Sequence, residues 1–181
     1  MSKTSVLLAL SLITPYLATG AMAQTPPPVG DAVLTGLKAC VANVQGNLPF
    51  NPPSAALTAA GIILADPVGT SDLAPFKSLT LQNRMFGAVA SSTGQVTIGS
   101  DLTQGICRVA VEYAKPADIT AVQASVRSVA GDWNPTSNGG GATSYSGTLF
   151  GASLMYEVRV PAPNTGYGSA GIIITVMNPA G

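Results

Sequence analysis

Residues 105–131, GICRVAVEYAKPADITAVQASVRSVAG, carry the clearest structural signal in the chain, because the hydrophobic period changes inside them. Up to Ala114 the period is two. Cys107, Val109, Val111 and Tyr113 fall on one side, Arg108 and Glu112 on the other, as on a strand with one buried face. From Pro116 the period is helical, with Ile119, Val122, Val126 and Val129 on one stripe and Gly131 as the stop. Proline is preset for the first helical turn, and Asp118 suits the electropositive helix start. A strand thus hands directly to an amphipathic helix.

The same two periods recur outward from this stretch. Toward the N-terminus, Val33, Leu34, Leu37, Cys40, Val41 and Val44 make a helical stripe between Asp31, read as an N-cap, and Gly46. Ser54 is placed to cap a second, alanine-rich helix over 55–64, ended by Asp66-Pro67. Residues 68–83 read as irregular. Residues 85–90 and 95–99 read as short strands joined by a turn at 92–94. Toward the C-terminus, 132–147 read as a loop with the Gly139-Gly140-Gly141 triplet at its most flexible point. Residues 148–160 alternate, with Phe150, Ala152, Leu154, Tyr156, Val158 and Val160 on one side. A long turn over 161–168 precedes a last strand at 170–177. The expected fold is an α+β two-layer sandwich, an antiparallel sheet with helices on one face, in the order α-α-β-β-β-α-β-β. A helix-then-strands unit occurs twice, before Ala114 and after Pro116, without residue-level identity between the two.

Residues 1–23 have the layout of a secretory signal peptide: Lys3, a short apolar run over 6–13, then small residues ending Ala21-Met22-Ala23. The apolar run is too short for a membrane anchor, which needs about 20 residues. Residues 24–30, with three consecutive prolines at 26–28, read as a stiff linker, and 31–181 as one globular domain. The expected location is outside the cytoplasm, periplasmic or secreted. There the only cysteines, Cys40 and Cys107, meet an oxidising compartment. Each lies on an apolar face, one helical and one extended, so a structural disulfide between them is expected.

Composition narrows the function more than it names it. The 181-residue chain has 8 basic and 8 acidic residues and no basic cluster, so a nucleic acid or an anionic membrane surface is an unsuitable partner. No membrane span is expected after signal cleavage. Histidine is absent, which removes the commonest general base and metal ligand. With the cysteines bridged, thiolate and zinc-thiolate chemistry goes too. The acids are scattered, and no metal or cofactor motif is present, so no cofactor is expected.

Two candidate binding surfaces remain. Arg108 and Glu112 on one strand, and Glu157 and Arg159 on another, point away from the apolar faces of their strands. If the strands share a sheet, they meet on its face opposite the helices. Cross-strand pairs on a solvated face are the plainer reading; a surface for a protein or small polar ligand is the sharper one. The second candidate is the loop holding Trp133, Asn134, Asn138 and Tyr145. Here a tryptophan after a helix stop is expected to cover a core edge, with a stacking platform as the alternative. The leading expectation is a non-catalytic exported binding domain using the open sheet face and neighbouring loops. A hydrolase built from isolated acids such as Asp101, Glu112 or Glu157, and a structural envelope component, are the alternatives.

Overall fold

The computed structural model describes residues 25–50, 54–65, 84–93, 95–101, 105–139, 142–161 and 170–178. The expected signal sequence at 1–23, Gln24, Asp66, Asp72, the stretch at 68–83 that reads as irregular, the glycines at 94, 140 and 141, and most of the turn expected over 161–168 lie outside them.

Among the described residues the elements are α1 (Val29–Val44), α2 (Ala55–Ala59), β1 (Ile62–Ala65), β2 (Arg84–Val89), β3 (Gln95–Asp101), β4 (Ile106–Glu112), α3 (Pro116–Val129), β5 (Pro135–Gly139), β6 (Ala142–Leu149), β7 (Ala152–Arg159) and β8 (Ala170–Met177). The strands form one antiparallel sheet in the order β1-β2-β3-β4-β8-β7-β6-β5. Two meanders, β1 to β4 and β5 to β8, therefore meet side by side at the centre. The α+β sandwich and the expected order stand, with three strands added at the edges.

Each addition has a local cause. The alanine-rich helix stops after five residues because Gly61 takes φ +78°, and the apolar run behind it becomes edge strand β1. The polar 132–147 stretch is β5 and most of β6, held chiefly by backbone pairing. The single strand expected over 148–160 is cut by a two-residue turn, Phe150-Gly151, with φ +50° and +80°. Two positive φ values match the twist of a tight antiparallel hairpin, and Gly151 takes one without strain.

One sheet face is a ladder of aliphatic rows. Ile62, Val89, Val96, Val111 and Ile172 make one; Ile98, Val109, Ile174 and Val158 make the next. All of these residues are buried. Helix α1 lies over β3, β4 and β8, and α3 packs beside α1. Helix α1 starts at Val29, so Asp31 sits in its first turn rather than at the cap, and Val33, Leu37, Cys40 and Val44 are buried. In α3, Val122 and Val126 are buried while Ile119 and Val129 pack at the core's margin. The expected apolar stripes of both helices therefore face the core. Cys40 and Cys107 form the disulfide, with Cα atoms 5.3 Å apart, tying α1 to β4 at the sheet's centre.

Candidate functional site

The charged quartet lies on the face turned away from the helices, and three of its members meet. Arg108, Thr175 and Glu157 occupy one cross-strand row of β4, β8 and β7. The Arg108 Nε donates to Thr175 Oγ1 at 3.2 Å. Arg159, two residues along β7, donates from Nε to Glu157 Oε1 at 3.2 Å. Glu112 stands apart, four residues along β4 at a register shift, and is only 2% exposed. The face is not open through its centre: Ala110 is 0% and Ile173 2% exposed, and Thr175 is also buried. A broad solvated platform, as expected from alternation alone, is therefore not what surrounds these charges. Ion pairs of such half-exposed groups stabilise by at most about 1 kcal/mol.

The second candidate converges more closely. The sheet row that begins at Ser100 and Cys107 runs through Val176 to Tyr156 and Tyr145 on β7 and β6. The two tyrosines face the helical layer, with ring centroids 5.1 Å apart and planes 12° from parallel. Trp133 folds back from the segment after α3 and stacks on Tyr145 at 4.5 Å; its centroid is 6.3 Å from that of Tyr156. Two backbone bonds pin this segment, Gly131 N–H to the Thr148 carbonyl and Phe150 N–H to the Val129 carbonyl, each 2.9 Å. The Tyr156 hydroxyl donates to the Asp132 carbonyl at 2.9 Å, and burial pushes its phenol above the ordinary value of 10.0, with Tyr145 and Asp132 adding to the rise. Trp133 is half-buried and packs against the core, as the core-cover reading anticipates.

Covering the core does not use up the cluster. Between α3 and β6 lies a groove of about 360 Å³ lined by Thr120, Gln123, Ala124, Arg127, Trp133 and Tyr145. The helical residues come from the outward side of α3, where spacings of three and four repeat one face. The Arg127 guanidinium lies 5.5 Å from the Trp133 ring centroid, a cation–π contact. Among the described residues that line it there is no carboxylate. Sequence reasoning found Trp133 and Tyr145 but missed the wall. The signal was there: Thr120, Gln123 and Arg127 form the polar side of a helix whose apolar stripe was already read. Asn134 is exposed and does not line the groove, and the side chain of Asn138 is outside the described residues.

Two further hollows flank α1. One, of about 250 Å³, lies at its C-terminal end beside Asn43, Pro49 and Asp101. Asn43 is buried there, donating to the Leu48 carbonyl and accepting from the Ser100 hydroxyl. The other, of about 570 Å³, lies between Thr35 and Val89, with Pro26 and Pro27 along its rim. Among the described residues no three of His, Cys, Asp and Glu cluster as a metal site. No helix among them is long and apolar enough to cross a membrane. No protein-family model, curated protein or solved structure matches this chain.

Proposed function

We propose that the chain is an exported, non-catalytic binding domain, and that its working surface is the aromatic-floored groove between α3 and β6. The observation that carries this reading is the pairing of the Trp133–Tyr145 floor with the Thr120, Gln123 and Arg127 wall. Small-ligand sites combine an apolar, aromatic lining with a few convergent polar groups, and this groove has both. Tyr145 belongs to the fold's own core row and Trp133 packs against the core, so the floor is held in place before any ligand arrives. Export is supported by the signal-like start and by the Cys40–Cys107 disulfide, a bond that persists in oxidising compartments.

The reading sets the outer-face quartet aside as the main surface, since the ion pair and the burial around it favour a structural role. The test uses the secreted protein, whose mass should begin at Gln24. Trp133 is the single tryptophan of the sequence, so its emission reports on the groove alone. A panel of sugars, nucleosides and aromatic acids is titrated against the wild type and against Ala124→Phe, which fills the groove from an exposed helix position. A member that shifts Trp133 emission in the wild type and not in Ala124→Phe supports the reading. A panel that leaves the emission unmoved, or moves both proteins alike, overturns it.

A further inference from the structure

We infer that the groove selects a six-membered ring bearing a carboxylate, with Arg127 as the anion anchor and Trp133 and Tyr145 as the ring's seat. The inference rests on the groove being the binding surface. Three features of the site lead to this ligand class.

The first is charge. Arg127 is the single charged side chain among the described residues that line the groove. Its guanidinium carbon lies over the Trp133 ring, 5.5 Å from the centroid. A guanidinium held over a ring face by cation–π attraction can still turn its N–H groups to grip a carboxylate in bidentate fashion. The cation–π contact also restricts the side chain beforehand, so less freedom is lost when the anion arrives.

The second is the character of floor and wall. The half-buried Trp133 presents most of the ring surface, backed by the buried Tyr145, which favours a flat or pleated ring over a linear chain. Thr120 and Gln123 supply a hydroxyl and an amide, groups that both donate and accept hydrogen bonds. The third is size. At about 360 Å³ the groove is near the small end of ligand sites, which run from roughly 300 to 1,000 Å³. That suits one ring or two, not a folded partner.

A uronic acid and an aromatic acid share this chemistry, and the test separates them. Full-length secreted protein is titrated with galacturonate against galactose, and with benzoate against benzyl alcohol, following Trp133 emission. The expected result is a saturable change with at least one acid, weaker in high salt, and none with its neutral partner at the same concentration. A response to galacturonate alone marks a sugar acid; a response to benzoate alone marks an aromatic acid. Arg127→Gln, at an exposed position, should melt like the wild type and bind the acid roughly tenfold or more weakly, the loss expected of one charge-assisted contact. Equal binding of acid and neutral partner, full binding by Arg127→Gln, or no response to either acid overturns the inference. The wider panel with Ala124→Phe then decides separately whether the groove binds anything.

Discussion

On one flank of the helical layer the sheet is closed by aliphatic side chains, and on the other by three aromatic rings. Beyond α1, helix α2 packs against β1, and Leu57 and Ile62 are buried in the same cluster as Val89 and Val96. Beyond α3, Tyr145, Tyr156 and Trp133 do the covering. The difference follows from chain length. The connection from α1 to β1 is long enough to carry its own short helix and extra apolar residues. The segment from α3 to β5 has five residues, so a few large rings must span the same kind of gap. Both flanks leave a hollow, but the one beside Val89 is walled by prolines and small or aliphatic residues, whereas the rings leave an edge of aromatic surface. That edge is the groove.

The bridge between Cys40 and Cys107 lies between the two flanks, and its loss should affect both. It closes a loop of 67 positions, for which chain entropy predicts a stabilisation of roughly 4 kcal/mol. A Cys40→Ser, Cys107→Ser double variant should show that loss in chemical denaturation. If the loss is under about 1 kcal/mol, α1 is held by packing alone and the comparison of flanks loses its fixed centre.

Single truncations then weigh the flanks against each other. Leu57→Ala removes a fully buried aliphatic side chain and should cost about 3 kcal/mol. Trp133→Ala removes a half-buried ring and should cost less, about 2 kcal/mol, followed by far-ultraviolet circular dichroism because the tryptophan is gone. A Trp133→Ala loss equal to that of Leu57→Ala would make the aromatic flank ordinary core, and the groove a by-product of packing.

A smaller effect separates the flanks by pH. Burial holds the Tyr156 phenol above its ordinary 10.0, so the unfolded chain deprotonates first as pH rises. Stability from this group is complete below about pH 10 and is lost as pH climbs toward the raised folded value. Tyr156→Phe also gives up the bond to the Asp132 carbonyl, worth about 1 kcal/mol. The variant should melt lower than wild type at neutral pH, and the gap should narrow in alkali. A gap that stays constant would mean the phenol ionises alike in both states.

Most of the layer structure was legible in the residues, because burial imposes a period. The stretch 105–131 is strand then helix as its spacing says, and Cys40 and Cys107 meet because both apolar faces turn to one core. The edges were less legible for physical reasons. β5 and β6 are rich in Gly, Asn and Ser, which give little strand signal, and their threonines mark no buried face, so backbone pairing with β7 organises them. Phe150 occupies a positive-φ turn position that a β-favouring aromatic residue disguises. The groove needed both kinds of information at once. Trp133 and Tyr145 stood out singly, but their neighbour Arg127 is joined to them only by the way α3 lies along β6. The outer-face quartet shows the converse: alternation placed Arg108, Glu157 and Arg159 together correctly, and could not show that Ala110 and Ile173 beside them are buried.

The smallest expected effect lies where the two meanders are tied together at one end. Asp118, in the first turn of α3, accepts the Lys115 backbone N–H at Oδ2 and the Thr93 hydroxyl at Oδ1, each at 2.9 Å. Thr93 belongs to the turn between β2 and β3, so a helix of the second half is fastened to a hairpin of the first. The backbone bond, then the hydroxyl, hold the carboxyl below its ordinary 3.8. A lowered folded value means the contribution is present above about pH 3.8 and fades as pH falls through the folded value. Asp118 is solvent-accessible, so after screening the loss in Asp118→Asn should be only about 0.5 kcal/mol at neutral pH. Wild type and variant should converge in acid. Thr93→Ala divides the effect further, because it removes the link between halves and leaves the helix-start bond intact. If Thr93→Ala alone reproduces the Asp118→Asn loss, the carboxylate acts as a clasp between the meanders. If Thr93→Ala is silent, Asp118 serves only the start of α3, and the two meanders are coupled through the β4–β8 pairing and the core instead.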